Sequence, residues 1–211
     1  MSDYLSEEEQ LSRLRDWWKQ NGTFAIVAMV LAIAGVLGWR WYESHTAERL
    51  ARAAELYGEF LESTGAARQQ LADDLLAEGG STAYPALTLL NQAHEAAAAG
   101  DLDTAANLLG QAVKAASGES LADLARLRLA RVQYQLAEET EALATLGEIR
   151  SSGFVPVAQE LAGDIHLATG DRAQAHASYA AALGQALGED QQAILEIKVA
   201  DTVDAAGSDD A

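Results

Sequence analysis

Residues 20–39 form an uncharged, mostly apolar run that constrains the fold more than any other part of the chain. The run reads QNGTFAIVAMVLAIAGVLGW and lies between Lys19 and Arg40. As a helix rising 1.5 Å per residue it spans roughly 30 Å, the thickness of the hydrocarbon core of a bilayer. Aromatic side chains, which favour the headgroup region, stand at both of its ends: Trp17, Trp18, Trp39, Trp41 and Tyr42. We therefore predict a transmembrane helix over residues 20–42, with these five rings as its interface anchors.

Two other interpretations of the run are a buried core helix and a cleaved signal peptide. A buried core helix is usually shorter than this run and seldom has tryptophan pairs at both ends. A signal peptide begins with a short basic segment, whereas this chain has Glu7, Glu8 and Glu9 before the run and a bulky Trp-Arg-Trp-Tyr sequence after it. The sequence favours an uncleaved anchor that crosses the membrane once.

The segment before the span, residues 1–19, is predicted to be either a short amphipathic helix at the membrane surface or a frayed terminus. Ser6 and Glu9 have the spacing of a capping box. Basic residues flank the span equally, with Arg13, Arg15 and Lys19 before it and Arg40, Arg49 and Arg52 after it. Because the first three are more tightly clustered, the positive-inside rule favours a cytoplasmic N-terminus and an exported C-terminal domain, residues 43–211.

One face of the span is lined by the small residues Ala28, Ala32 and Gly35. Small residues allow two membrane helices to approach closely, so this face is a candidate packing site for a partner helix. Alanine and glycine are also common in membrane helices in general, and the sequence leaves both interpretations open.

Acidic residues dominate the part of the chain beyond the span. Residues 43–211 contain 27 of the 32 acidic and 10 of the 14 basic residues, and the whole chain has a net charge of −18. Nucleic-acid binding, which relies on lysine and arginine at the phosphates, is therefore not expected. The chain has no cysteine, which excludes disulfides and thiolate chemistry.

From residue 83 onward the sequence repeats with a period near 34. Three segments align, and each has a small residue followed four positions later by a large apolar one. The small residues are Ala105, Ala142 and Ala175, the large ones are Leu109, Leu146 and Tyr179, and the small residues of the preceding helices are Ala93, Ala130 and Gly163. Small residues packed against large ones at this period are typical of stacked helical hairpins. We predict an all-α solenoid of about three hairpins.

Further helices are predicted on both sides of the hairpins. A short helix near residues 71–76 is bounded by glycine-containing turns. A C-terminal helix over residues 191–201 is expected to cap the array, with Ala193, Ile194, Ile197 and Val199 on its apolar side, which faces the array.

The third unit, ELAGDIHLATGDRAQAHASYAAAL, resembles the tetratricopeptide repeat, and the other two units are degenerate copies. The whole chain also resembles the YfgM family, the ancillary subunits of the SecYEG translocon. This resemblance is carried by QNGTFAIVAMVLAIAGVLGWRWYESH, by LRLARVQ in the middle unit and by ILEIKVADTVD near the C-terminus. It implies a single-pass protein of the bacterial inner membrane with a periplasmic tetratricopeptide-repeat-like domain. The implied partners are the SecYEG translocon, a PpiD-like periplasmic chaperone, translocating polypeptides and membrane lipid.

Stacked hairpins curve, so the first helix of each unit lines a concave surface that can hold a peptide. The residues predicted there are Leu87, Leu90 and His94 in the first unit, Leu124, Leu127, Arg131 and Tyr134 in the second, and Val157, Glu160, Asp164 and Leu167 in the third. The same residues would also suit a groove filled by a neighbouring helix. The sequence leaves open whether the groove binds a partner or is closed by the chain itself.

No motif in the sequence predicts catalysis. His94 and Glu95 begin like a zinc-protease HExxH motif, but residue 98 is alanine and the second ligand is missing. The other histidines, His45, His166 and His176, lack the spacing of a four-ligand zinc site. Nucleophile-elbow, Walker and dinucleotide-binding patterns do not occur. We expect neither an enzyme nor a bound metal or cofactor.

Two main functions stay in competition. The resemblance implies a non-enzymatic adaptor that links protein translocation to periplasmic chaperones. The alternative is a membrane-anchored assembly scaffold for another envelope complex, because a groove that binds one fixed partner peptide would use the same residues. An enzyme with an unrecognised site is a third interpretation.

Overall fold

The computed structural model describes residues 7–186 and 188–203, and within these ranges all regular secondary structure is helical. The helices are α1 (Glu7–Glu62), α2 (Gly65–Glu78), α3 (Tyr84–Ala98), α4 (Leu102–Ala115), α5 (Glu119–Gln135), α6 (Glu139–Gly147), α7 (Val155–Ala168), α8 (Arg172–Leu183) and α9 (Glu189–Val203). The all-α prediction is thereby confirmed. The chain divides into two units, Met1–Ala51 and Arg52–Ala211, and α1 contributes residues to both.

The first unit consists of α1 up to Ala51. Its side chains from residue 26 to residue 50 are all exposed, including the whole central part of the predicted span. In the described part of the chain, this is the one helix long and apolar enough to cross a membrane. An apolar surface of this length is suited to lipid. Residues 7–19 continue directly into the span as one helix, and Ser6 of the predicted capping box lies outside the described residues.

In the second unit, each helix from α2 to α9 packs mainly against the helices next to it in sequence. Three hairpins result, α3–α4, α5–α6 and α7–α8. The turns of the first and third hairpins are alike: Gly100 and Gly170 have φ of 83° and 86°, and the following aspartates cap the next helix. Ala137 stands at the same turn of the second hairpin with φ of 60°, a left-handed conformation that strains a residue with a Cβ.

The small and large residues predicted to meet inside the hairpins are all buried. Ala93, Ala105 and Leu109 share one core cluster, and Ala130, Ala142 and Leu146 share the next. Gly163 approaches Tyr179 so closely that a Cβ at residue 163 would overlap the tyrosine ring. The third hairpin therefore needs glycine at a position where the other two have alanine.

The C-terminal helix packs on the array through a different face from the predicted one. Leu195 and Thr202 of α9 are buried, whereas Ile194 is 52% and Ile197 71% exposed. The expectation is therefore wrong for Ala193, Ile194 and Ile197, whereas Val199 packs against the buried cluster of α8 and α9. The helix carries two apolar stripes, and its orientation is fixed by polar contacts to α7 and α8 that periodicity does not reveal.

Candidate protein-binding surface

A cavity of about 610 Å³ lies between the first helices of the first two hairpins. Its apolar lining comes mainly from α3 and α5, with one residue each from α4 and the last turns of α1, and includes Leu87, Leu90, Leu124, Val132 and Tyr57. Tyr57 is held there by ring contacts with Phe60 and Tyr84, and partial burial raises its pKa. The cavity volume is within the range of ordinary ligand pockets, and its lining suits apolar side chains.

Two arginines of α5 stand at the edge of this cavity. Arg128 and Arg131 line it and are exposed, and neither makes an ion pair with a described residue. By contrast, Arg68 of α2 is held by Glu95 and Asn91 and lies 4.0 Å from the centre of the Phe60 ring. The cavity edge thus offers uncompensated positive charge in a unit that is otherwise strongly acidic.

The concave residues predicted from the sequence fall into two groups. Five of them line the cavity: Leu87, Leu90, His94, Leu124 and Arg131. The other apolar ones pack in the second and third core clusters, away from the cavity. Leu127 is buried with Ala130 and Leu146, and Tyr134 and Val157 pack against that cluster. Leu167 packs on the cluster of α8 and α9.

The two predicted acidic residues of the third unit are occupied by α9. Lys198 Nζ donates hydrogen bonds to Glu160 Oε1 at 2.8 Å and Asp164 Oδ1 at 2.7 Å, and the Tyr179 hydroxyl donates to the same Asp164 oxygen at 2.8 Å. Partial burial opposes the charge on Lys198, but the two carboxylates outweigh it and raise the lysine pKa. The third unit therefore presents paired charges where the second presents free ones.

A buried carboxylate joins the second hairpin to the third. Asp123 of α5 is fully buried, and its Oδ2 accepts the backbone N–H groups of Arg150 (3.0 Å) and Ser151 (2.7 Å) in the α6–α7 loop. Its Oδ1 accepts from Arg126 Nη1 at 2.7 Å. Burial opposes the charged form of Asp123, but these hydrogen bonds outweigh it and lower the carboxyl pKa. Asp123 therefore fixes where the chain turns into α7.

Sequence reasoning missed Asn91, Arg128 and Tyr57 as lining residues. Asn91 and Arg128 are 37 positions apart, the same spacing as Leu87 and Leu124, so the repeat register contained a signal for both. Tyr57 precedes the repeats and carries no such signal.

The residues proposed for membrane contacts lie in the first unit. Trp17, Trp18, Trp39, Trp41 and Tyr42 are all exposed, as are Ala28, Ala32 and Gly35. Trp41 stacks on His45, with ring centres 5.5 Å apart. A role for either set in binding lipid or a partner helix stays a prediction.

The histidines have packing or surface positions. His94 is exposed at the cavity, and His176 Nδ1 lies 3.1 Å from Thr202 Oγ1, across the contact between α8 and α9. In the described ranges no three histidine, aspartate or glutamate side chains converge as metal ligands would. The expectation that no metal or cofactor is needed stays a prediction.

Comparison with known proteins shows similarity over nearly the whole chain. A family model described as a tetratricopeptide repeat-like domain matches residues 15–204. A Haemophilus influenzae protein named ancillary SecYEG translocon subunit is 34% identical over 182 residues, which cover 85% of this chain and 89% of that protein. Proteins of the same name from Aggregatibacter actinomycetemcomitans and Escherichia coli K12 are 32% and 29% identical, over 92% and 86% of this chain and 97% and 89% of their own lengths.

Proposed function

We propose that this chain, which belongs to the family of ancillary SecYEG translocon subunits with a tetratricopeptide repeat-like domain, is a membrane-anchored, non-enzymatic adaptor. The relatives' name supports association with the SecYEG translocon. The long apolar helix supports a membrane anchor. The observation that carries a binding role for the repeat domain is the cavity between α3 and α5.

The chemistry of the cavity suits a polypeptide segment. Its apolar lining accepts apolar side chains, and Arg128 and Arg131 are free to meet carboxylates. Arginine beside an apolar surface is a common composition for protein interfaces, in which a few anchors carry most of the binding energy. We infer that an extended or helical segment with apolar and acidic side chains occupies the cavity.

In the full proposal, the anchor associates with the translocon and the cavity holds a periplasmic chaperone of the PpiD type or a translocating chain. The N-terminus is cytoplasmic, residues 20–42 span the inner membrane and residues 43–211 are periplasmic. The clustering of Arg13, Arg15 and Lys19 supports this orientation. The small-residue face of Ala28, Ala32 and Gly35 is the proposed contact with a translocon helix.

Purification of the full chain from membranes in mild detergent tests the adaptor. We expect translocon subunits and a chaperone to co-purify in stoichiometric amounts. Arg131→Glu should lower chaperone recovery at least several-fold and leave the translocon bound. Lys114→Glu, which makes the same charge change at an exposed position of α4 outside the cavity lining, should lower neither. Recovery of one unrelated envelope complex would favour the scaffold and overturn the adaptor.

Photo-crosslinking tests which parts of the chain contact each partner. A photoreactive residue at Leu124 in the cavity should capture a chaperone or a translocating chain, and one at the exposed Gln111 of α4 should capture neither. A photoreactive residue at Gly35 should capture a translocon subunit. Equal yields from Leu124 and Gln111 would contradict binding in the cavity.

Protease treatment of spheroplasts tests the orientation. Protease added outside should digest the repeat domain and leave an N-terminal epitope protected. Protection of the repeat domain in intact spheroplasts, with digestion after lysis, would reverse the proposed topology.

A further inference from the structure

Helix α9 occupies the place of the first helix of a fourth hairpin. In α5 the buried residues Ala125 and Val132 are seven positions apart, as are Ala158 and Ile165 in α7 and Leu195 and Thr202 in α9. These pairs are related by steps of 33 and 37 residues, which are also the steps between the three hairpins. In this register Ile197 corresponds to Leu90, Leu127 and Glu160, and Ala200 corresponds to Ala93, Ala130 and Gly163.

The equivalent positions differ sharply in burial. Leu90 and Leu127 are 4% and 5% exposed, whereas Ile197 is 71% exposed. Ala93 and Ala130 are buried in clusters that include large residues of the second helices, Leu109 and Leu146, whereas Ala200 is exposed. No described element takes the place of a second helix beside α9.

Four apolar residues of α9 therefore form an uncovered stripe: Ala193, Ile194, Ile197 and Ala200. Their spacing of one, three and three residues places them on one side of the helix. The terminal helix of a repeat array normally presents a polar outer face for solubility, whereas this one exposes Ile194 and Ile197. In the described part of the chain nothing covers the stripe, which is open to a partner helix.

The charges beside the stripe indicate the chemistry of the missing helix. Glu189 and Glu196 lie along one edge of the stripe, whereas Asp190 and Asp201 lie near its two ends, between Ile197 and Ile194 around the helix. All four are exposed. The one basic side chain of α9, Lys198, points away to Glu160 and Asp164. Carboxylates along one edge and near both ends of the stripe favour a partner with lysine or arginine beside its apolar residues. They also disfavour a second copy of this chain, whose own α9 would bring the same carboxylates into contact.

We propose that a basic amphipathic helix of another protein docks on the outer face of α9 and completes the fourth hairpin. A large apolar residue of that helix packs against Ala200, as Leu109 packs in the cluster of Ala93. Basic residues beside the apolar residues of that helix meet Glu189, Glu196, Asp190 and Asp201. This surface is separate from the cavity residues of α3 and α5, so it extends the proposed function without resting on it.

A peptide with the sequence of a native second helix is a suitable probe. The probe is a fluorescein-labelled peptide, RAQAHASYAAAL from α8, with two lysines added at each end, and its control carries two glutamates at each end. Fluorescence anisotropy with the full chain in mild detergent should show saturable binding of the lysine peptide. The glutamate peptide should bind at least ten-fold more weakly.

Matched substitutions separate docking on α9 from general attraction to an acidic protein. Ile197→Glu should weaken the lysine peptide at least ten-fold, although it adds negative charge. Leu76→Glu, which makes the same change at an exposed leucine of α2, should weaken it less than two-fold. Arg131→Glu in the cavity should also change binding of the lysine peptide by less than two-fold. The α9 proposal and the cavity proposal are therefore tested by different variants.

Position is tested by disulfide trapping, because the chain has no native cysteine. A lysine peptide with cysteine in place of its tyrosine should crosslink to an Ile197→Cys variant and not to a Leu76→Cys variant. Equal effects of Ile197→Glu and Leu76→Glu, or no crosslink at residue 197, would overturn the proposal. So would a dimer in sedimentation experiments that Ile197→Glu dissociates, because a second copy would then be the occupant.

Discussion

The concave side of the first two hairpins is open, whereas the same repeat positions in the third hairpin are occupied by contacts with α9. His94, Arg131 and Asp164 are equivalent in the repeat, but the first two are exposed at a cavity and the third is bound to Lys198. Between α3 and α5 a partner has room and free arginines to bind. At the third hairpin, α9 supplies the counter-charge itself.

This difference shows that the repeat determines the position of a side chain on its helix. The neighbouring helix determines whether that side chain is free to bind a partner. Lys198 lies 34 residues from Asp164 and 38 from Glu160 and closes the third unit, whereas the second unit has no equivalent lysine. We call the cavity between α3 and α5 the open region and the third hairpin with α9 the closed region. The two can be distinguished by substitutions that act on only one of them.

The largest loss of stability is expected from substitution of Asp123, which connects α5 to the loop before α7. Asp123→Asn removes a buried charge that binds two backbone N–H groups and Arg126, so the free energy of unfolding should fall by about 2 to 4 kcal/mol. Asp103→Asn, at an exposed aspartate of α4, should cost about 0.5 kcal/mol or less. Urea denaturation of the full chain in mild detergent, followed by circular dichroism, measures both.

The pH dependence of the Asp123 effect has a definite sign. Because the folded state lowers the pKa of Asp123, its stabilisation is present above the ordinary aspartate pKa and is lost as the pH falls through the folded-state pKa. The difference between wild type and Asp123→Asn should therefore persist to about pH 4 and shrink in stronger acid. A difference that disappears near neutral pH would contradict the assignment.

A slightly smaller effect is expected inside the closed region, where Gly163 meets Tyr179. Gly163→Ala should lower stability by about 1 to 3 kcal/mol, since the new methyl group overlaps the ring. Gly110→Ala in α4, where a Cβ meets no atom within 4 Å, should instead raise stability by about 0.5 to 1 kcal/mol.

A double-mutant cycle sharpens this test. In a Tyr179→Leu background, Gly163→Ala recreates the alanine and leucine pair of the other two hairpins, so its cost should fall by about 1 kcal/mol or more. An unchanged cost would mean that the tyrosine ring is not the reason for glycine at this position.

The ion pairs of Lys198 with Glu160 and Asp164 should contribute less to stability than the packing of Gly163 against Tyr179. Lys198→Met leaves Glu160 and Asp164 without their cation and should cost about 1 kcal/mol at neutral pH, since all three groups are partly exposed. The lysine pKa is raised in the folded state, so this stabilisation is complete below the ordinary lysine pKa. It should be lost as the pH rises through the folded-state value, which a series of denaturation curves above pH 9 would reveal.

The smallest effect on stability is expected in the open region. Arg131→Ala removes a side chain without an ion pair to any described residue, so the free energy of unfolding should change by less than about 0.5 kcal/mol. A loss of stability as large as that of Lys198→Met would show that Arg131 already has a partner within the protein. The cavity would then not offer a free arginine.

The sequence predicted the interior of the hairpins well because packing leaves a periodic pattern. Ala105 and Leu109, and their counterparts in the other units, recur at the repeat spacing and are buried as predicted.

The features that the sequence did not reveal depend on pairs of residues far apart in the chain. Asp123 binds backbone groups 27 and 28 residues away, and an aspartate in a helix gives no sign of such partners. The orientation of α9 was missed for a similar reason, because Leu195 and Ile197 are equally apolar. Contacts from α7 and α8, rather than hydrophobicity, decide which of them is buried.

Because each helix packs mainly against the helices next to it in sequence, most contacts of the repeat domain join residues that are close together along the chain. Contacts between neighbours in sequence close small loops, which is typical of rapid folding. A chain emerging N-terminus first can complete each hairpin before the next one has appeared. Helix α9 would then be the last to dock, and Lys198 would seal the third hairpin only at the final step of assembly.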